Sequence, residues 1–220
     1  MQLELDPASI DRFEDRMGDF GPWMHDYRLG ERIITGYFKY EGVGEQLSFV
    51  NRRSPEADIA RLRAAYEQRR RDVWPRFVES LFDAAAPDRS RRAAMHLLDI
   101  ASATGQLSIR AVQAGFGRVT SSEIRESQVA QQRLLLECLK DPVYQSTITP
   151  VHDPISADAP EFPQRYLEDQ PDIACSFGLL YHVTNPLGHL RNLHAIARRR
   201  HRVHDDPLPS AREKPVVPHR

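Results

Sequence analysis

The sequence has little of what marks several common protein classes. Only two cysteines, Cys138 and Cys175, occur among its 220 residues, which argues against a disulfide-stabilised secreted domain. No apolar run approaches the ~20 residues of a membrane-spanning helix, and the acidic start MQLELDPASIDRFEDRM differs from the basic and then apolar pattern of a signal peptide. These absences predict a cytoplasmic protein that has no membrane partner.

Neither sign of charge dominates the chain. Thirty Lys and Arg stand against 31 Asp and Glu, so the overall charge does not favour nucleic acid as a partner. The nine histidines are scattered without the paired spacing of a metal site, and the Gly-x-Ser-x-Gly turn of serine hydrolases is absent. A hydrophobic content of 40% is enough for a real core, so we expect one compact domain and no bound metal.

The most informative stretch that is present covers residues 96–131. An apolar run over 95–100, with Asp99 near its end, predicts a strand. The small-residue turn Ala101-Ser102-Ala103-Thr104-Gly105 follows and leads into a helix with apolar residues at 107, 109, 112 and 114. Two glycines bracket the end of that helix before a second predicted strand over 118–122. This order of elements is typical of one half of a nucleotide-binding fold.

Glu123 falls at the carboxyl end of the second predicted strand. A carboxylate about 20 residues beyond a tight small-residue turn can accept hydrogen bonds from both ribose hydroxyls of an adenosine-containing cofactor. The separation between Asp99 and Glu123 fits this arrangement. The stretch therefore predicts a nucleotide site at the ends of its two strands.

A second informative stretch is DIACSFGLLYHVTNP, over residues 172–186. It predicts a fourth strand that ends in an aromatic, histidine-containing turn, and Asn185 followed by Pro186 signals the start of a helix, expected over 186–197. A third strand is expected over 146–151, and Asp153 follows it.

At this point the chain resembles the class I S-adenosylmethionine-dependent methyltransferases. Their first motif, Asp-x-Gly-x-Gly-x-Gly, matches residues 99–105, and the Leu-Tyr-His turn after their fourth strand matches residues 180–182. Within that superfamily, LDIASATG, EIRESQVAQ, FGLLYHVTNPLGHLRNL and PWMHDYRLGERIITGYF look most like the branch that includes the tRNA wobble-uridine carboxymethyltransferases. The resemblance implies a Rossmann-like α/β fold, a doubly wound and mostly parallel sheet, with an N-terminal α+β extension.

The resemblance also implies a cofactor and the residues that bind it. The cofactor would be S-adenosylmethionine or a carboxylated derivative, and the acceptor a small molecule or tRNA. Asp153 would bond the adenine amino group, although an Asp before proline is equally typical of a turn. The cofactor-binding residues would be Asp99, Ala101, Ser102, Gly105, Glu123, Ile124, Asp153, Phe177 and Gly178.

Three side chains are candidates for the chemistry. Holding donor and acceptor in line supplies much of the rate of methyl transfer, so few catalytic groups are needed. A hydroxyl acceptor would benefit from a base, and histidine accepts a proton near neutral pH, which makes His182 or His25 a candidate. Tyr181 could orient the acceptor or the sulfonium, because an aromatic face attracts a cation. Packing at the end of the fourth strand is the alternative role for Tyr181 and His182.

The chain departs from the family pattern in its first motif. Ala101 and Ala103 stand where the usual motif has glycine. If either position requires a positive φ, alanine there costs on the order of 1 kcal/mol, which would lower the affinity for the cofactor.

The second departure lies at the C-terminal end. After residue 197 the chain reads RRRHRVHDDPLPSAREKPVVPHR, with four prolines and no aromatic residue, so no further packed strands are expected. The sheet should stop after the fourth strand and its helix, as in a truncated gene product, a naturally short relative, or a homo-oligomer in which another copy covers the open edge. The expected divisions are an N-terminal extension over 1–90, a catalytic core over 91–197 and a disordered basic tail over 198–220.

The N-terminal extension is expected to combine short strands with helices. Strands are predicted around 33–40 and 47–50, and a helix that begins near Ser54 should split near Trp74 because of Pro75. The resemblance implies that the extension lies over the cofactor site, where Trp23 and His25 either contact the substrate or pack onto the core. The apolar positions of the helix are Ile59, Leu62, Tyr66, Val73, Phe77 and Leu81.

Two other functions compete with an active methyltransferase. A degenerate, non-catalytic fragment that binds cofactor weakly or acts through a partner would explain the missing glycines and strands. An NAD-type dehydrogenase shares the strand, turn and acidic residue, but it would prefer the Gly-x-Gly-x-x-Gly turn, which is absent here.

Overall fold

The computed structural model describes residues 2–20, 23, 27–29, 33–34 and 73–201. Its strands are β1 (Gln2–Leu3), β2 (Arg28–Leu29), β3 (Ile33–Ile34), β4 (His96–Ile100), β5 (Arg118–Glu123), β6 (Ile148–His152) and β7 (Ile173–Ser176). Its α-helices are α1 (Ile10–Arg16), α2 (Trp74–Ala85), α3 (Gln106–Gln113), α4 (Glu126–Cys138), α5 (Val143–Thr147) and α6 (Pro186–His201). Short 3-10 helices occupy Pro7–Ser9, Arg89–Ala94 and Phe162–Tyr166.

The central sheet has the order β6-β5-β4-β7, and all of its strands are parallel. The chain moves outward from β4 to β5 and β6 and then returns to place β7 on the other side of β4. The strand order therefore reverses beside β4, and open α/β sheets bind ligands outside the carboxyl ends of the strands at such a point. The predicted Rossmann-like α/β fold is confirmed.

Alternate residues of the central strands face two separate apolar layers, as a doubly wound sheet requires. Leu97 and Val119 belong to a core with α3, α4 and the N-terminal segment. Leu98 and Ile100 face the other way, onto Phe162 and neighbouring residues of the second layer. Burial on both faces explains why β4 is buried along its whole length.

Several predicted boundaries shift. The third strand begins at Ile148 rather than at 146, because Val143–Thr147 forms a helix. The last helix continues to His201, beyond the predicted end at residue 197, and the division into a core over 91–197 and a tail over 198–220 stays a prediction. Residues 202–220 lie outside the described part of the chain.

The helix around Pro75 begins where the sequence predicts a break, with Pro75 in the first turn of α2. Its buried residues are Val78 and Phe82, whereas the predicted core residue Phe77 is 47% exposed. The buried face is thus rotated by one residue. The rest of the predicted helix and the strand around 47–50 lie outside the described residues, as does most of the stretch around 33–40, of which β3 is described.

Arg92 joins α2 and α3 at their C-terminal ends. Its buried guanidinium donates to the carbonyl O of Ala86 and of Ala114 and pairs with Asp83 at 2.6 Å. These carbonyl groups lie just beyond the two helices, where intrahelical partners are missing. One buried side chain therefore satisfies two helix ends and joins α2 to α3.

Trp23 packs the N-terminal segment onto the core. It is fully buried, its ring lies 5.5 Å from the ring of Phe13, and its Nε1–H donates to the carbonyl O of Met17 at 2.7 Å. No helix in the described ranges combines the length and apolar composition needed to span a membrane.

Candidate functional site

The predicted site residues gather at one edge of the central sheet. Because β4 to β7 are parallel, their carboxyl ends meet at the same edge. At or beside these ends lie residues 99–105 of β4 and its turn, Glu123 and Ile124, Asp153, and residues 177–182. Of the predicted site residues only His25 is not placed here, because it lies outside the described residues.

The turn of residues 101–105 has the backbone of a glycine-rich turn although it contains two alanines. Ala101 has φ 58°, Ala103 has φ 51° and Gly105 has φ 84°. An L-residue in this left-handed region costs roughly 1–2 kcal/mol. Alanine is therefore unfavourable at both positions where the family pattern has glycine, and neighbouring side chains must hold the turn.

Glu123 is one of the side chains that hold the 101–105 turn. It is 1% exposed; its Oε2 accepts from Ala103 N–H at 2.8 Å, and its Oε1 accepts from Arg125 N–H and Nε–H at 3.0 and 2.9 Å. A carboxylate offers about four lone-pair positions, so these three donors leave one. The Arg125 side chain is 52% exposed, and its departure would free a second.

Gln132 of α4 also holds the turn, and sequence reasoning missed it. The buried amide donates from Nε2 to Ser102 Oγ at 2.8 Å and to the carbonyl O of Ala103, while Oε1 accepts from Ser121 Oγ at 2.7 Å. A Cβ on Gly105 would approach the Gln132 side chain to 3.2 Å. Its sequence signal is slight, since it is one of several glutamines on the same helix.

Asp99 lies beneath the turn and faces α3. It is 2% exposed, and its Oδ2 forms a hydrogen bond with Ser108 Oγ at 2.7 Å. Burial raises the pKa of Asp99 to about 7, and the negative charge of Glu123 adds to this effect while the Ser108 hydrogen bond opposes it. Asp99 therefore supports the turn from below.

Asp153 follows β6 and is 2% exposed. Its Oδ1 accepts from Ile155 N–H at 3.2 Å, which is the turn role typical of an Asp before proline. Its Oδ2 accepts from the Tyr166 hydroxyl at 2.8 Å, and the same hydroxyl lies 2.7 Å from Ser122 Oγ. Burial raises the pKa of Tyr166, so this phenol stays protonated and keeps Asp153 in place.

The segment after β7, residues 177–182, presents two rings to solvent. Tyr181 is 78% exposed and its ring lies 4.3 Å from the exposed ring of His182. The His182 N–H donates to the carbonyl O of Leu179 at 2.7 Å, and Gly178 has φ 69°. A Cβ at Gly178 would meet the Tyr181 hydroxyl at 3.3 Å, so the glycine lets this ring lie over the turn. Tyr181 does not pack into the core.

Phe177 and Ile124 place apolar surface at the same edge. The Phe177 ring meets the rings of Trp74 and Phe77 at 5.6 and 6.1 Å, both nearly perpendicular. The side chain of Ile124 is 49% exposed beside Glu123. Hydrophobic contact area is thus available next to the carboxylate.

The beginning of α6 fixes the far end of the 177–182 segment. Asn185 caps the helix, since its Oδ1 accepts from Gly188 N–H at 2.9 Å. Asp158 accepts from Asn185 N–H at 2.7 Å and from Thr184 Oγ1 at 2.9 Å. Its hydrogen bonds, that of Ser156 foremost, hold the pKa of Asp158 at about 2, so this anchor remains ionised at neutral pH.

Comparison with known proteins assigns the chain to a family. No curated protein matches it. A family model described as a methyltransferase domain matches residues 66–215, which is more than half of the chain and contains the whole central sheet. Among the described residues, no cluster of three or more His, Cys, Asp or Glu could hold a metal ion. With its parallel sheet and the turn at its switch point, the chain belongs to the methyltransferase-domain family.

Proposed function

We propose that this protein is an S-adenosylmethionine-dependent methyltransferase that acts on a small-molecule or tRNA acceptor. The observation that carries the proposal is the placement of the left-handed turn of residues 101–105 beside the buried carboxylate of Glu123, at the switch point of the sheet. Small side chains in the turn let a ligand approach the backbone, and the adjacent carboxylate suits two ribose hydroxyls.

The residues at this edge fit the cofactor with one adjustment. Glu123 would accept hydrogen bonds from the ribose, using its remaining lone-pair position and the one that Arg125 Nε–H now occupies. Ile124, which is 49% exposed, would lie against the adenine ring. Asp153 would accept from the adenine amino group in addition to Tyr166 and Ile155.

The reacting groups would meet beside the 177–182 segment. When bound, S-adenosylmethionine supplies an electrophilic methyl group on a sulfonium, which the acceptor attacks in line. The exposed Tyr181 ring would orient the acceptor or the cation. The exposed imidazole of His182 would take the proton from a hydroxyl acceptor, and His25 keeps the same role as a prediction.

Calorimetric titration with S-adenosylmethionine and with S-adenosylhomocysteine tests the proposal. The informative variant is Glu123→Gln, which keeps the size of the side chain but removes its charge and one acceptor. The matched control is Glu126→Gln, because Glu126 is an exposed carboxylate in the first turn of α4. We expect binding by the natural protein, a loss of about tenfold or more in Glu123→Gln, and no change in the control.

The same titration decides between this proposal and a non-catalytic protein that depends on a partner. That second candidate is favoured by one observation, the three donors already bonded to Glu123. A folded protein that binds neither S-adenosylmethionine nor S-adenosylhomocysteine would contradict the enzyme proposal. Binding would justify a labelled-methyl assay with tRNA and with small-molecule pools. Titration with the carboxylated derivative of S-adenosylmethionine tests whether that compound is the cofactor instead.

A further inference from the structure

A line of buried polar side chains runs beneath the 101–105 turn, and the proposed function does not explain it. Asp99, Ser108, Ser121 and Gln132 are each at most 2% exposed. The contacts are Asp99 Oδ2 to Ser108 Oγ at 2.7 Å, Ser108 Oγ to Ser121 Oγ at 2.9 Å and Ser121 Oγ to Gln132 Oε1 at 2.7 Å. The line of hydrogen bonds starts at Asp99 on β4 and ends at Gln132 on α4, which bonds to the 101–105 turn.

The carbonyl group of Ala103 sets the direction of these hydrogen bonds. It can only accept, so the Gln132 amide must turn its nitrogen toward Ala103 and its oxygen toward Ser121. The single hydroxyl hydrogen of Ser121 is therefore used on Gln132 Oε1. The hydrogen between Ser121 and Ser108 must then come from Ser108.

Ser108 also has one hydrogen, and it contacts two oxygens. If Asp99 is ionised, that hydrogen goes to the carboxylate, and Ser108 Oγ and Ser121 Oγ lie 2.9 Å apart with none between them. If Asp99 is protonated, it donates to Ser108 and every contact in the line holds one hydrogen. Buried polar groups favour the state in which all of them are satisfied.

We propose that protonated Asp99 is a positioning residue for the 101–105 turn and acts through Ser108, Ser121 and Gln132. When Asp99 ionises, Ser121 either loses its donor or turns its own hydrogen toward Ser108, and Gln132 Oε1 is then left without one. The hydrogen bonds that Gln132 donates to Ser102 and Ala103 of the strained turn then weaken. The effect on cofactor affinity rests on the proposed function, whereas the direction of the hydrogen bonds does not.

The surroundings of Asp99 agree with a protonated carboxyl group. Burial raises its pKa to about 7. The charged group that acts on it is Glu123 from β5, whose negative charge disfavours a second one. Cys175 of β7 lies opposite Asp99 in the strand register. Burial raises the pKa of Cys175 to about 12, so its thiol is uncharged. From α3 and α4, the uncharged Ser108 and Gln132 complete the line.

Nuclear magnetic resonance of the full chain without cofactor tests the hydrogen-bond line directly. The Asp99 carboxyl carbon, the Gln132 side-chain amide and the Ala103 backbone amide are followed from about pH 5 to about pH 9. We expect all three to shift with one midpoint near neutrality. In Ser108→Ala, Asp99 should still titrate while the Gln132 signal stops following it. A carboxyl carbon that is already ionised at about pH 5 and does not titrate above it, or a Gln132 amide that is insensitive to pH, would overturn the proposal.

Cofactor titration measures the functional consequence. Between about pH 6 and about pH 8.5, affinity for S-adenosylhomocysteine should fall about three- to tenfold more in the natural protein than in Asp99→Asn, whose amide donates to Ser108 at every pH. The variant controls for titration of the ligand itself. Equal pH profiles would contradict the positioning role. If neither protein binds the ligand, the proposed function fails, and the resonance experiment still decides the inference.

Discussion

At the scale of single residues, two alanines do what glycine does in related turns. Ala101 and Ala103 have positive φ because Glu123 accepts from the Ala103 amide while Gln132 contacts its carbonyl group. The sequence predicted the position of this turn and the cost of alanine within it. It could not predict Gln132, because the contact joins residues 29 apart in sequence whose meeting depends on how α4 packs.

Glycine at either alanine position should stabilise the protein. Ala101→Gly and Ala103→Gly remove left-handed strain of roughly 1–2 kcal/mol but add chain entropy, so each should raise the free energy of unfolding by about 0.5–1 kcal/mol. Urea unfolding measures this change in the free energy of unfolding. Ala130→Gly in the interior of α4 is the control and should lower it by about 1 kcal/mol. A loss of stability in all three variants would mean that the turn is not strained.

At the scale of elements, the contact between the 3-10 helix Arg89–Ala94 and the start of β5 requires glycine. Gly115 ends α3 with φ 97°, and Phe116 N–H donates to the carbonyl O of Ala111 at 3.0 Å, the geometry of a Schellman motif. Gly117 then passes so close to the preceding 3-10 helix that a Cβ would lie 2.0 Å from the carbonyl O of Ala93. The sequence predicted that these glycines end the helix, but this close approach was visible only in the packed structure.

Gly117→Ala should therefore be costly. The neighbouring atom belongs to backbone and cannot rotate away, so we expect a loss of about 2–4 kcal/mol in the free energy of unfolding. Gly18→Ala is the matched control, because a Cβ at Gly18 meets nothing within 4 Å, and its effect should stay within about 0.5 kcal/mol. Thermal unfolding of both variants is the measurement. Equal melting temperatures would refute the close approach of Gly117 to the carbonyl O of Ala93.

At the scale of the whole molecule, stability should depend on pH through Asp99. Its pKa lies at about 7 in the folded protein and at 3.8 for an ordinary Asp. Between these values the folded state holds a proton that the unfolded chain has released, so the free energy of unfolding falls as pH rises through this window and then levels off. The total is up to roughly 4 kcal/mol.

Urea unfolding at several pH values, with Asp99→Asn as the comparison, isolates this contribution. All other carboxyl groups are shared, so the variant should gain stability relative to the natural protein from about pH 4 to about pH 7 and keep a constant difference above that. Parallel curves would show that Asp99 ionises normally.

The outer edge of β7 also belongs to this scale. Within the described ranges no strand pairs with it on the side away from β4. The expectation that a second copy of the chain covers this edge stays a prediction, which sedimentation at increasing protein concentration would test.

The sequence by itself determined the order of strands and helices, the small-residue turn and the acidic residue at the end of β5, because apolar periodicity and turn chemistry are local properties. Tertiary structure decided how those side chains are used. It gave Glu123 and Asp153 hydrogen-bond partners within the protein and placed Asp99 beneath the turn. It also brought Gln132 into hydrogen-bond contact with the turn. Hydrogen bonds between distant segments form only once the elements are packed, so no pattern within one segment could have predicted them.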